Sequence, residues 1–209
     1  MAHPLDVGLG LGYSIGFRFG DRFIRAQRLG FNAVTGVNSR SGRMKFEKLT
    51  KEQYVWVGVR LALGWTMFWA FIDKLFGLGY ATQSSNSWLN GGSPTSGYLQ
   101  YATSGPLADF WNGLSGNSVI DALFMLALLA VGVSVLLGIG QKIAGISGAA
   151  LMLMLWSTNL PPANNPIIDD HIIDAILFVG FIFVRPGKWW GLGKWWAETP
   201  IVKKYPILE

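Results

Sequence analysis

Long apolar runs separated by short polar connections dominate this chain, and their lengths set the first expectation. A helix rising about 1.5 Å per residue needs about 20 apolar residues to cross a hydrocarbon core of about 30 Å. Residues 122–139 (ALFMLALLAVGVSVLLGI) and 143–160 (IAGISGAALMLMLWSTNL) approach that length without one charge. A third stretch, 54–78, is apolar but carries Arg60 near its start and Asp73 and Lys74 near its end. The fourth, 170–190, has an uncharged centre over 175–184, with Asp174 just inside its start. The pattern predicts an all-α integral membrane protein, a four-transmembrane-helix antiparallel bundle with spans at about 54–78, 120–140, 143–160 and 170–190.

The connection Gly140-Gln141-Lys142 is short enough to force the second and third spans into an antiparallel hairpin. Small residues at helical spacing, Gly145 with Ala149 and Ala144 with Gly148, offer a face on which backbones approach closely. They also read simply as small residues facing lipid. The long stem of Arg60 lets its charge snorkel to the interface, whereas Asp73 and Lys74 need a partner or water.

Composition agrees with this class: 51% of residues are hydrophobic, 14% are charged, and the mean hydropathy is +0.34. The net charge of +5 raises nucleic acid as a partner, but the cations form no single patch and the apolar runs favour the bilayer. Their distribution is the informative part. Residues 1–51 carry nine Lys and Arg, the hairpin carries Lys142, and the chain from Arg185 onward carries five, while 79–119 and 161–172 carry none. Basic loops mark the cytoplasmic side, so both termini are expected inside and an even number of crossings follows.

Three organisational units result: a basic amphipathic cytoplasmic arm (1–51), a four-helix membrane domain (52–196) with a long outer loop (79–119), and a cytoplasmic tail (197–209). The arm sequence IGFRFGDRFIRAQRLGF suggests an in-plane helix on anionic lipid, a segment docked on another subunit, or, being rich in Arg, a transit peptide. No secretory leader is read, because the first long apolar stretch starts near Tyr54, and the first span is expected to act as its own signal. Within the outer loop, aromatic residues and the PLADFWNGL segment suggest a short re-entrant or interfacial helix around 106–114. In the tail, Trp189, Trp190, Trp195 and Trp196 read as an interfacial aromatic anchor.

Candidate chemistry concentrates at the outer ends of the spans, in Asp73, Lys74, Asp121, Asp169, Asp170, His171 and Asp174. Ionisable groups at membrane depth usually face a bundle interior, and Lys74 is the natural partner for Asp170 or Asp174. Three readings stay open. The first is a salt-bridge network that locks helix packing. The second is a catalytic proton-relay site (Asp73, Lys74, Asp170, His171, Asp174) for a quinone headgroup bound beside Trp65, Trp69 and Trp156. The third is a metal site built from Asp169, Asp170, His171 and Asp174, although adjacent helical positions cannot all reach one ion. The chain has no cysteine, which excludes thiolate and iron–sulfur chemistry on this polypeptide. With only His3 and His171, bis-His haem ligation inside the bundle is not available, and no dinucleotide or flavin fingerprint or nucleophile elbow is present.

The segments VRLALGWTMFWAFIDKLFGLGYAT, WLNGGSPTSGYL, LLAVGVSVLLGIGQKIAGISGAALMLMLW and NPIIDDHIIDAILFVG together resemble the DoxX-like membrane proteins. More narrowly they resemble the small, DoxD-type subunit of thiosulfate:quinone oxidoreductase, over residues 55–195. The resemblance implies a four-helix subunit in the cytoplasmic membrane of a prokaryote, oxidising thiosulfate with electrons passed to quinone. Without a cysteine, such sulfur chemistry would proceed without a covalent thiol intermediate or on a partner subunit. The alternative is an accessory, non-catalytic subunit of a larger membrane complex, with the 1–51 arm as its contact to other subunits.

Overall fold

A computed structural model describes residues 48–209. The arm expectation for 1–51 therefore lies outside the described residues except at its last few positions. There, Thr50 caps the first helix of the described residues, α1 (Lys51–Phe76), by a reciprocal box in which its hydroxyl accepts from the Gln53 amide and its own amide donates to Gln53 Oε1. Three more long helices follow, α4 (Ser118–Leu137), α5 (Gln141–Trp156) and α6 (Asp170–Val184). Short helices fill the connections: α2 (Ser96–Tyr101) and α3 (Ala108–Asn112) after α1, and α7 (Gly193–Glu198) and α8 (Pro200–Lys204) after α6. Among the described residues there is no strand, only an isolated bridge between Ser104 and Asn159. Helix α3 falls inside the 106–114 segment expected to be helical.

The long helices start and stop at local signals. Asn117 and Asp169 each accept from the two amides that open α4 and α6. Gly77 and Gly138 end α1 and α4 in the left-handed conformation, at φ 67° and 75°. Helix α6 ends at Arg185, a non-glycine residue at φ 49°, and Pro186 follows it. Helices α5 and α6 end before their apolar runs do, at Trp156 and Val184. By length and composition α1 and α4 suffice to cross a membrane, whereas α5 has 16 residues and α6 has 15.

Packing joins the long helices mainly as two close pairs, α1 with α4 and α5 with α6, while α4 and α5 touch more lightly across their hairpin. In each close pair a glycine lets the backbones meet. A Cβ on Gly132 of α4 would lie 2.7 Å from the Phe68 amide nitrogen of α1, and one on Gly145 of α5 would lie 2.7 Å from the Phe178 carbonyl of α6. The small-residue face of α5 is thus a packing face against α6. Leu63, Met67, Leu128 and Val135 of the first pair and Leu151, Met152, Phe178 and Phe181 of the second belong to one buried core. Trp56 of α1 packs edge-on against Phe181, bridging the two pairs near the end that carries the hairpin.

Candidate functional site

At the end carrying the long loop, three of the carboxylates predicted for chemistry, Asp73, Asp121 and Asp169, are engaged by nearby amides, hydroxyls or the His171 ring. Asp73, 1% exposed, accepts from the Tyr80 amide at 3.3 Å and the Ala81 amide at 3.0 Å, so it folds the chain leaving α1 back onto the helix end. Asp121, also buried, accepts from the Thr95 hydroxyl at 2.6 Å, the Thr95 amide and the Ser93 hydroxyl, which pins the middle of the long loop to the start of α4. A third pin joins Tyr98 to Thr158, oxygen to oxygen 2.7 Å, with Asn159 donating to the same phenol. The long loop is therefore an ordered roof tied to α1, α4 and the end of α5.

On the other pair, Asp169 caps α6 through the His171 and Ile172 amides, and its second oxygen lies 2.9 Å from His171 Nδ1. Burial pushes the Asp169 carboxyl up, but the His171 ring, the two amides and the His171 charge outweigh that and hold it below its ordinary value. Asp170 is exposed and Asp174 half-buried.

The expected pairing of Lys74 with Asp170 or Asp174 is not formed: among the described residues no ion pair joins them. The cause is the packing, since α1 and α6 belong to different pairs and meet at the opposite end, through Trp56 and Phe181. The five residues Asp73, Lys74, Asp170, His171 and Asp174 therefore do not converge in one ion-pair network. The metal alternative lacks its cluster too, because no group of three or more His, Asp or Glu side chains gathers among the described residues. The expected aromatic pocket is divided likewise. Trp65 and Trp69 stack at 5.6 Å and Tyr80 meets Trp69 edge-on at 5.2 Å, whereas Trp156 donates from Nε1 to the Ile167 carbonyl in the other pair.

The most tightly built polar site lies at the hairpin end. Arg60 does not snorkel; it is 2% exposed, and its Nη1 donates to the Val135 and Leu136 carbonyls at 2.6 and 2.7 Å. Its Nη2 donates to the Trp190 carbonyl at 2.6 Å. The guanidinium thus caps the carbonyl end of α4, where the helix dipole favours a cation, and ties the segment after α6 to the same point. Backbones meet there directly: a Cβ on Gly138 would lie 2.6 Å from the Gly187 Cα, and Gly187 donates to the buried Gln141 Oε1 at 2.8 Å.

Beside this knot the side chain of Glu209 gathers three cations. Its Oε2 lies 3.3 Å from Lys142 Nζ and 2.8 Å from Arg185 Nη1, and its Oε1 meets Lys188 Nζ. The Lys188 hydrogen bond, then against the opposing effect of burial that of Lys142 and the charges of Lys188 and Arg185, hold this carboxyl below its ordinary value. The sequence offered Lys142, Arg185 and Lys188 only as cytoplasmic markers; their meeting depends on how the tail folds back. The signal for Arg60 was its place in an apolar helix, where a buried charge requires several acceptors. No protein-family model, no curated protein and no solved structure matches this chain.

Proposed function

We propose that this chain is a multi-pass membrane protein of the DoxX-like type that serves as a non-catalytic structural subunit of a larger membrane assembly. Its four long helices cross the bilayer, with the hairpin end and both termini on the cytoplasmic side and the roofed loop outside. Support for the bilayer comes from how little of the apolar helices is covered: only 28% and 33% of the most apolar windows of α1 and α4 are buried, unlike the core helices of a soluble domain. Leu126, Ile146, Ile176 and Phe183 are exposed on three of the long helices. The cation distribution along the sequence supplies the orientation.

The observation that carries the structural role is the use made of Asp73, Asp121 and Asp169. Asp73 and Asp169 each commit both oxygens to fixing a loop or a helix start, and Asp121 commits Oδ1 to the long loop. A proton-transfer residue needs an oxygen turned toward a substrate. Isolation of the tagged chain from native membranes in mild detergent is expected to bring stoichiometric partner proteins with it. Recovery as a lone chain that reduces a quinone analogue with thiosulfate would sink this reading.

A second reading, the quinone-linked redox subunit suggested by the family resemblance, is favoured by one observation. Trp65, Trp69 and Tyr80 form a continuous row of aromatic contacts, and the Tyr80 amide is held by Asp73. Exposed Asp170 and half-buried His171 and Asp174 would supply proton transfer from the other pair of helices. Asp170→Asn and His171→Ala separate the two readings. A redox subunit loses thiosulfate-dependent quinone reduction in both, whereas a structural subunit keeps its partners in both.

A further inference from the structure

The light contact between α4 and α5 leaves an apolar groove of about 330 Å³. Leu126, Ala130 and Ser134 line one wall and Ile143 and Ser147 the other, while Trp196 and Leu208 of the tail close it at the hairpin end. Along α4 the lining runs from Leu123 to Ser134, which at 1.5 Å per residue is about 16 Å. One leaflet of a 30 Å hydrocarbon core is about 15 Å deep. The groove is therefore as deep as a single leaflet.

Its closed end is positively charged. Trp196 borders both the groove and the cluster in which Arg185 and Lys188 meet Glu209. Lys142, next to the lining residue Ile143, completes that cluster, so three positive side chains face one carboxylate. Exposed Lys203 and Lys204 end the neighbouring α8. An apolar slot one leaflet deep beneath surplus positive charge matches a molecule with one long apolar chain and an anionic head. An isoprenoid quinone matches the slot but has no anion for the cations.

We propose that the α4–α5 groove binds an anionic phospholipid of the cytoplasmic leaflet, its acyl chain lying against Ala130 and Ser147 and its phosphate held by Lys142 and Lys188. The site rests on the membrane reading above. Ala130 and Ser147 are exposed, so their enlargement fills the groove without entering the core.

The full chain is reconstituted with equal phosphatidylglycerol and phosphatidylcholine, extracted in mild detergent and weighed intact by native mass spectrometry. Phosphatidylglycerol is expected to stay bound in preference, with Lys142→Gln and Lys188→Gln each cutting the preference about fivefold. Ala130→Phe and Ser147→Phe are expected to remove the bound lipid. Should either Phe variant fail to fold, the two Gln variants carry the test alone. Resistance of the reconstituted chain to alkaline carbonate reads membrane embedding separately, and its failure removes both the membrane reading and the site. In an embedded chain, equal retention of the two lipids, or full retention in the Phe variants, overturns the site alone. A dimer that Ala130→Phe dissociates overturns it also, by placing a second copy in the groove.

Discussion

Asp73 illustrates how a charged residue in an apolar helix can be structural. Removing its carboxylate in Asp73→Ala leaves the Tyr80 and Ala81 amides without their acceptor, at a cost of about 2 kcal/mol. The expected result is a lower thermal midpoint together with faster proteolysis within residues 79–92, read by limited digestion. Arg60 sets a sharper test. Arg60→Lys keeps the charge but cannot fork between the α4 carbonyls and Trp190, so a loss of about 2 kcal/mol is expected despite the conservative change. An unchanged melting point would show that the charge alone suffices there. Both residues stood out in the sequence as ionisable groups inside apolar runs. Their partners did not, because the acceptors of Arg60 are main-chain carbonyls, which carry no residue signature.

At the scale of elements, the helices were legible from hydrophobic length, but their ends were not read, since they are set by the caps Thr50, Asn117 and Asp169 and the glycines at 77 and 138. What periodicity could not supply was the pairing. Helices α4 and α5 are joined by the tightest connection, yet each packs more closely with a distant partner, because Gly132 and Gly145 permit closer approach than the hairpin itself does. With that pairing, no ion pair forms between Lys74 and Asp170 or Asp174 among the described residues. Gly132→Leu is expected to destabilise by roughly 3 kcal/mol, since the added Cβ meets the α1 backbone and cannot be relieved by a rotamer change. Thermal unfolding in detergent measures it. The tail answers to pH instead. Its Glu209 has a depressed value when docked, so the docking contribution is complete above the ordinary carboxylate value of about 4.3 and is lost as pH falls through the lower docked value. Hydrogen exchange over residues 199–209 is expected to accelerate only under such acidic conditions, and acceleration already at neutral pH would contradict the ion cluster.

For the whole molecule, the absence of cysteine makes topology directly measurable. In intact cells a membrane-impermeant maleimide is expected to label Ser85→Cys in the roofed loop and to leave Lys203→Cys unlabelled until the membrane is opened. The reverse pattern would invert the orientation proposed from the cations. Both positions lie in exposed segments, so neither substitution disturbs the core.

The reach of Arg60 also has a consequence in time. Its acceptors lie 75, 76 and 130 residues further along the chain. In chain order Arg60 precedes all three of its acceptors, so the contact is made only after α4 is present. Even then one arm of the fork is empty until residue 190 has been made. A product cut short before Trp190 therefore leaves one arm of the Arg60 guanidinium without its acceptor.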